Sequence, residues 1–117
     1  MTTPDHVPVT PSLHRFHAYQ ISLEFRRLVV RWLPLKRAEL SDQLDRASLS
    51  LSLNIAEGAG RALPRERARY YTIARGSAYE CLAVIDLLAI ERSADDFSEA
   101  RILIDRLCAI LSKLMRR

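Results

Sequence analysis

The sequence predicts an all-α protein, an antiparallel up-down-up-down four-helix bundle that oligomerises. Three observations lead there. Apolar residues recur at steps of three and four along four separate segments, the period of a helix with a buried face. The breaks between segments are short and carry proline or glycine, and short breaks make helices pack as antiparallel neighbours. No segment shows the alternation of a half-buried strand.

The elements follow in chain order. Residues 1–11 hold three prolines and little apolar material, so they are expected as a disordered tail, with the bundle domain spanning 12–117. The first helix is expected from about Ser12, which can cap it, to Leu33, with Ala18, Ile21, Phe25, Leu28 and Trp32 on one face. Pro34 stops it, because proline disfavours helical geometry in the residue before it. The second is expected from about Ser41 to Ala59. Leu44, Ala47 and Leu51 form one stripe; Leu49, Leu53 and Ala56 form another, which leaves a face for a further helix or another subunit. Gly58 and Gly60 supply the stop. The third runs from about Pro64, suited to a first helical turn, to Arg92, with Tyr71, Ala74, Ala78, Cys81, Ile85 and Leu88 in step. Gly76 inside it costs about 1 kcal/mol against alanine, so close approach of another helix is expected there. The fourth runs from about Ser98 to Met115. Asp96 and Glu99 resemble a capping box, and Phe97, Ala100, Ile104, Leu107, Leu111 and Leu114 form the seam.

Composition bounds the function. The chain has 117 residues, enough for one domain with a single core. No run approaches the roughly 20 apolar residues of a membrane span, and the start lacks the charged and apolar regions of a secretory signal. A cytoplasmic location without membrane contact is therefore expected. Eighteen Lys+Arg against fourteen Asp+Glu leave a formal charge of +4, compatible with nucleic acid without demanding it. Cys81 and Cys108 lie far apart within helical patterns and read as reduced thiols. His14 and His17 share a face, but no third ligand accompanies them, so no metal or cofactor is expected.

The serines at 48, 50 and 52 lack the glycine elbow and nearby histidine of a nucleophile; they read as small residues that let helices pack closely. Arg46, Ser50, Asn54 and Gly58 are spaced four apart, with Glu57 and Arg61 an i,i+4 pair beside them. Arg75, Gly76, Ser77 and Glu80 cluster where the third seam narrows. Buried polar groups are costly unless paired, so these two sets are expected to meet between helices two and three and set their register. Direct contact with a ligand or nucleic acid is the alternative role for them. Basic surface is expected at Arg26, Arg27 and Arg31 and, more densely, at Arg61, Arg65, Arg67 and Arg69, offset mainly by Glu66. Tyr70 and Tyr71 stand beside the second cluster, where bases could stack, although Tyr71 belongs by spacing to the core.

The stretch Gln43-Leu44-Asp45-Arg46-Ala47, through Ser50, to Asn54-Ile55-Ala56-Glu57-Gly58-Ala59-Gly60-Arg61, followed by Ile73-Ala74-Arg75-Gly76-Ser77-Ala78-Tyr79-Glu80, resembles one family over about residues 16–115. It is the four-helix bundle proteins encoded by intervening sequences within bacterial 23S ribosomal RNA genes, with which the accessory variability proteins of diversity-generating retroelements are grouped. The resemblance implies a homopentamer with a basic surface or central channel. For the retroelement members it implies binding to nucleic acid and to a reverse transcriptase. At Ser52, family members commonly carry a proline, so a proline kink in the second helix is not expected here. Residues and resemblance together point to a non-enzymatic homo-oligomer that binds RNA or DNA through arginines. The alternative is a protein-binding adaptor without nucleic-acid contact. Enzymatic work would need Glu57 and Glu80 to converge with Arg46 and Arg75 in a pocket.

Overall fold

A computed structural model describes residues 12–116. The expected tail, residues 1–11, lies outside them. A short 3-10 turn, Ser12–Arg15, precedes four α-helices: α1 (His17–Trp32), α2 (Ala38–Ala59), α3 (Pro64–Glu91) and α4 (Ser98–Met115). No strand occurs among the described residues, so the all-α class is correct.

Two helix starts differ from expectation. Ser12 opens the 3-10 turn and does not cap α1. The Phe16 amide donates to the Leu13 carbonyl (3.0 Å), and Phe16 is extended, so the chain changes direction before α1 begins at His17. That change lets the Phe16 ring pack against Tyr71, centroids 6.2 Å apart. α2 begins at Ala38, three residues before Ser41, with Glu39 in its first turn where the helix dipole favours an anion. Ser41 does not cap the helix; its hydroxyl accepts the Leu35 amide (2.9 Å) and fastens the linker to the first turn.

The other boundaries behave as their residues dictate. Leu33, before Pro34, is extended and ends α1. Pro64 opens α3. At α4 the Asp96 carboxylate accepts the Ser98 amide (2.9 Å), but Phe97 occupies the cap position and no reciprocal bond from Glu99 forms among the described residues. Phe97 is buried instead, edge-on to Trp32 with centroids 5.4 Å apart.

α2 packs most extensively on α3, α3 on α4, and α1 against both α2 and α4. The core fills the space these four enclose. Ile21 and Phe25 of α1, Leu44, Leu51 and Ile55 of α2, Cys81 and Ile85 of α3, and Ile104, Leu107 and Leu111 of α4 are essentially sealed from solvent. Each such side chain contributes about 1.5–3 kcal/mol by leaving water. The second stripe of α2 stays outside this core: Leu49 is 42% and Leu53 66% exposed. α3 has an outer stripe too, which the seam through Tyr71 and Leu88 concealed: Ile73, Leu87 and Ile90 are all exposed.

Candidate nucleic-acid interface

The polar residues between α2 and α3 assemble only in part. Ser77 donates to the Ser50 hydroxyl (2.9 Å), and the Asn54 side-chain amide donates to the same hydroxyl (3.1 Å) and to the Ser50 carbonyl (2.9 Å). Gly58 supplies the close approach. A Cβ there would stand 2.7 Å from Cε1 of Tyr71 and 3.2 Å from Cβ of Tyr70. Gly76, where close approach was expected, meets nothing: a Cβ would find no atom within 4 Å. Arg46 and Glu80 are exposed and join no ion pair among the described residues. Glu57 pairs with Arg61 of its own helix end (2.5 Å). Arg75 donates to the Tyr79 hydroxyl (3.1 Å) and lies 5.0 Å from that ring's centre, while its buried Nε has no partner. The anticipated network of nine residues therefore reduces to Ser50, Asn54 and Ser77, locked beside Gly58. The charged members point elsewhere because long side chains reach water from the edges of a helix interface. Among the described residues no ion pair joins Glu57 or Glu80 to Arg46 or Arg75.

Ser48, Ser50 and Ser52 of α2 do more than save space. Ser50 faces α3, whereas Ser48 and Ser52 face α1. Ser48 accepts from Arg26 (2.8 Å) and donates to the Asp45 carbonyl (3.1 Å). Ser52 donates to Ser22 (2.9 Å), which donates onward to the Tyr19 carbonyl (2.7 Å). Each serine thus ties α2 to a neighbour through a hydroxyl. Arg26 differs from expectation for the same reason. It is ion-paired with Asp45 (2.8 Å) and joins α1 to α2, so it is not free basic surface. Arg27 and Arg31 are exposed, in a groove that also contains Glu24 and Glu99, so charge there is mixed.

The turn between α2 and α3 is different. Arg67 donates to the carbonyls of Arg61 (3.1 Å) and Ala62 (2.7 Å) and holds the turn closed. Arg61 reaches the Tyr70 hydroxyl (3.1 Å) and lies 4.9 Å from the centre of that ring, with Arg69 5.9 Å from it. The Glu57 carboxylate and the neighbouring Tyr70 raise the Arg61 guanidinium above its ordinary pKa. Arg65 and Arg69 are exposed and form no ion pair among the described residues. Tyr71 is buried, as its spacing requires, and burial pushes its phenol up. Tyr70 is half-buried. The end of α4 closes on this turn. Lys113 and Arg116 line one groove with Phe16, Arg67 and Tyr71. The sequence separated them from Arg67 by more than forty residues, and only the packing of α4 brings the three into one groove.

Burial pushes the Cys81 thiol up to about 12 and raises Cys108 as well, so neither is a thiolate near neutrality. His17 Nε2 lies 3.2 Å from the Arg106 guanidinium, and no group of three potential metal ligands occurs among the described residues. No described helix is long and apolar enough to cross a membrane.

Comparison with known proteins agrees with the sequence motif. The family model described as 23S rRNA-intervening sequence protein matches residues 15–113. No curated protein matches the chain.

Proposed function

The chain belongs to the 23S rRNA-intervening sequence protein family, and on that premise we propose that it is a non-enzymatic, cytoplasmic homo-oligomer that holds RNA or DNA on the basic end of its bundle. The observation that carries the reading is the basic end of the bundle: Arg65 and Arg69 are exposed and in no ion pair among the described residues, and Arg67, Lys113 and Arg116 line one groove at that end. Glu57, the nearest carboxylate on α2, is already taken by Arg61. Exposed Arg65 and Arg69 suit bidentate contact with phosphate, and half-buried Tyr70 offers an aromatic face close to Arg69.

The helices in this reading alternate in direction. The contacts Arg37–Glu91, Ser50–Ser77 and Gly58–Tyr71 support that for α2 and α3, since residue numbers rise along one helix as they fall along the other. Assembly multiplies the basic patch around an axis; five copies is the number the family resemblance implies. A partner protein, such as the reverse transcriptase of retroelement relatives, is compatible with the same scaffold.

Filter binding of RNA, single-stranded DNA and duplex across a salt series tests the proposal. Log affinity should fall linearly with log salt, by about 0.7–0.9 per phosphate contact. Arg65→Ala with Arg69→Ala should weaken binding and flatten that slope by about one to two contacts. Absence of affinity for all three at low salt removes the nucleic-acid half and leaves the adaptor reading, which the exposed Leu49 and Leu53 favour.

A further inference from the structure

We propose that the groove between the start of α3 and the end of α4 holds a single nucleotide, its phosphomonoester against three cations and its flat base against the apolar lining. As the phosphorylated end of a strand, that nucleotide rests on the nucleic-acid reading above; as a free nucleoside monophosphate, it stands apart from it.

The groove measures about 430 Å³, within the range of about 300–1,000 Å³ found for small-molecule sites. Its apolar lining comes from three parts of the chain: Phe16 before α1, Pro64 and Tyr71 of α3, and Leu114 of α4. Phe16 and Leu114 are half-buried and Pro64 is exposed, so part of this lining stays open. Tyr71 braces the Phe16 ring, with centroids 6.2 Å apart. The cations are Arg67, Lys113 and Arg116, none of them in an ion pair among the described residues. Arg67 is anchored: its Nη1 donates to the carbonyls of Arg61 (3.1 Å) and Ala62 (2.7 Å), while Nε and Nη2 make no hydrogen bond among the described residues.

Charge and shape select the ligand. No carboxylate of the described residues lines this groove. Glu66 follows Arg65 in the chain but lies outside the lining, and Glu57 is paired with Arg61. The grooves along α1 and α4 differ, because Glu24 or Glu99 sits among their arginines. α3 also begins here, at Pro64, and brings the positive end of its dipole; Lys113 and Arg116 offset the negative end of α4. Three cations in one compact groove exceed the single charge of a backbone phosphodiester. They suit the charge of about −1.5 to −2 that a phosphomonoester carries near neutrality. A sugar phosphate would satisfy the cations and leave the apolar lining wet, whereas a base covers it with a flat π face.

Isothermal titration calorimetry of the full chain with adenosine monophosphate, ribose phosphate and adenosine tests the site. Adenosine monophosphate should bind about fivefold or more tighter than ribose phosphate, the least that stacking one base contributes, and adenosine alone should bind more weakly than either. Lys113→Ala with Arg116→Ala should weaken adenosine monophosphate about tenfold or more, with helicity by circular dichroism unchanged, since both side chains are exposed. Arg65→Ala with Arg69→Ala removes the same formal charge outside the groove and should weaken it less than about threefold. Ribose phosphate binding as tightly as the nucleotide, or equal losses from the two double variants, overturns the site. A 5′-phosphorylated single-stranded RNA that outbinds its terminal-hydroxyl counterpart and is displaced by adenosine monophosphate assigns the groove to strand ends; no such difference, with the mononucleotide still bound, assigns it to free nucleotides. Strands that bind regardless of the terminal phosphate, with no affinity for adenosine monophosphate, overturn the nucleotide site and leave the proposed function standing. Adenosine monophosphate bound without affinity for any strand does the reverse.

Discussion

Gly58 and Gly76 both interrupt a helix, yet a methyl group meets opposite surroundings at the two positions. At Gly58 it would press to 2.7 Å from the Tyr71 ring, which is buried and held from the other side by Phe16. Neither ring can swing away cheaply. Overpacking of this kind costs about 1–3 kcal/mol, against the roughly 1 kcal/mol that alanine gains in a helix. At Gly76 the space is open and only the propensity term acts. Gly58→Ala should therefore destabilise the protomer by up to about 2 kcal/mol, and Gly76→Ala should stabilise it by about 1 kcal/mol. Urea unfolding at protein concentrations too low for assembly measures both; equal signs would show that the α2–α3 approach at Tyr71 has been misassigned. The sequence marked both glycines as special but could not separate them. Their difference depends on which side of each helix carries the partner, and a two-sided apolar pattern leaves that open. Arg26 shows the same limit: its row on α1 resembles that of Arg27 and Arg31, and only the position of Asp45 one helix away makes it a tie between α1 and α2.

At the scale of elements, legibility follows the strength of the period. The seams through Phe25, Ile85 and Ile104 were readable because sealed apolar residues must recur every three or four positions, and the structure buries them. The starts of α1 and α2 were not, because a hydroxyl near a start can serve either the helix or the linker, whereas α3 and α4 open at Pro64 and Ser98 as expected. Ser41 serves the linker. It sits inside α2 and accepts the amide of Leu35, a residue whose side chain is itself buried. Removing the hydroxyl leaves that amide short of a partner, at a cost of about 1–2 kcal/mol. Ser41→Ala should lower stability by that amount and, more specifically, speed hydrogen exchange at the Leu35 amide while exchange in the middle of α2 is unchanged. Slowed or unaltered exchange at Leu35 would mean that α2 holds the linker by packing alone. α3 teaches the complementary lesson. Its buried seam is continuously apolar, whereas an outer stripe of equal length, from Ile73 to Ile90, is interrupted by Gly76 and Glu80, which hides its period.

For the whole molecule, the distribution of charge matters more than the formal +4. Arg65, Arg67 and Arg69 were legible as a cluster because they are close in the chain, whereas Lys113 and Arg116 share a groove with Arg67 only because α4 packs against the turn. Arg27 and Arg31 went the other way, into a groove shared with Glu24 and Glu99. If phosphate is held at the basic end of the bundle, chain distance should be irrelevant and membership of that end, the patch, decisive. Lys113→Ala with Arg116→Ala should then weaken nucleic-acid binding about as much as loss of Arg65 and Arg69, and should flatten the dependence of log affinity on log salt by about one to two contacts. Arg27→Ala with Arg31→Ala removes the same formal charge and should leave the slope nearly unchanged. The comparison separates a localised site from general attraction to a basic protein, because general attraction responds to net charge and would treat the two double variants alike. Equal losses from both pairs would dissolve the patch as a site even if binding itself were strong.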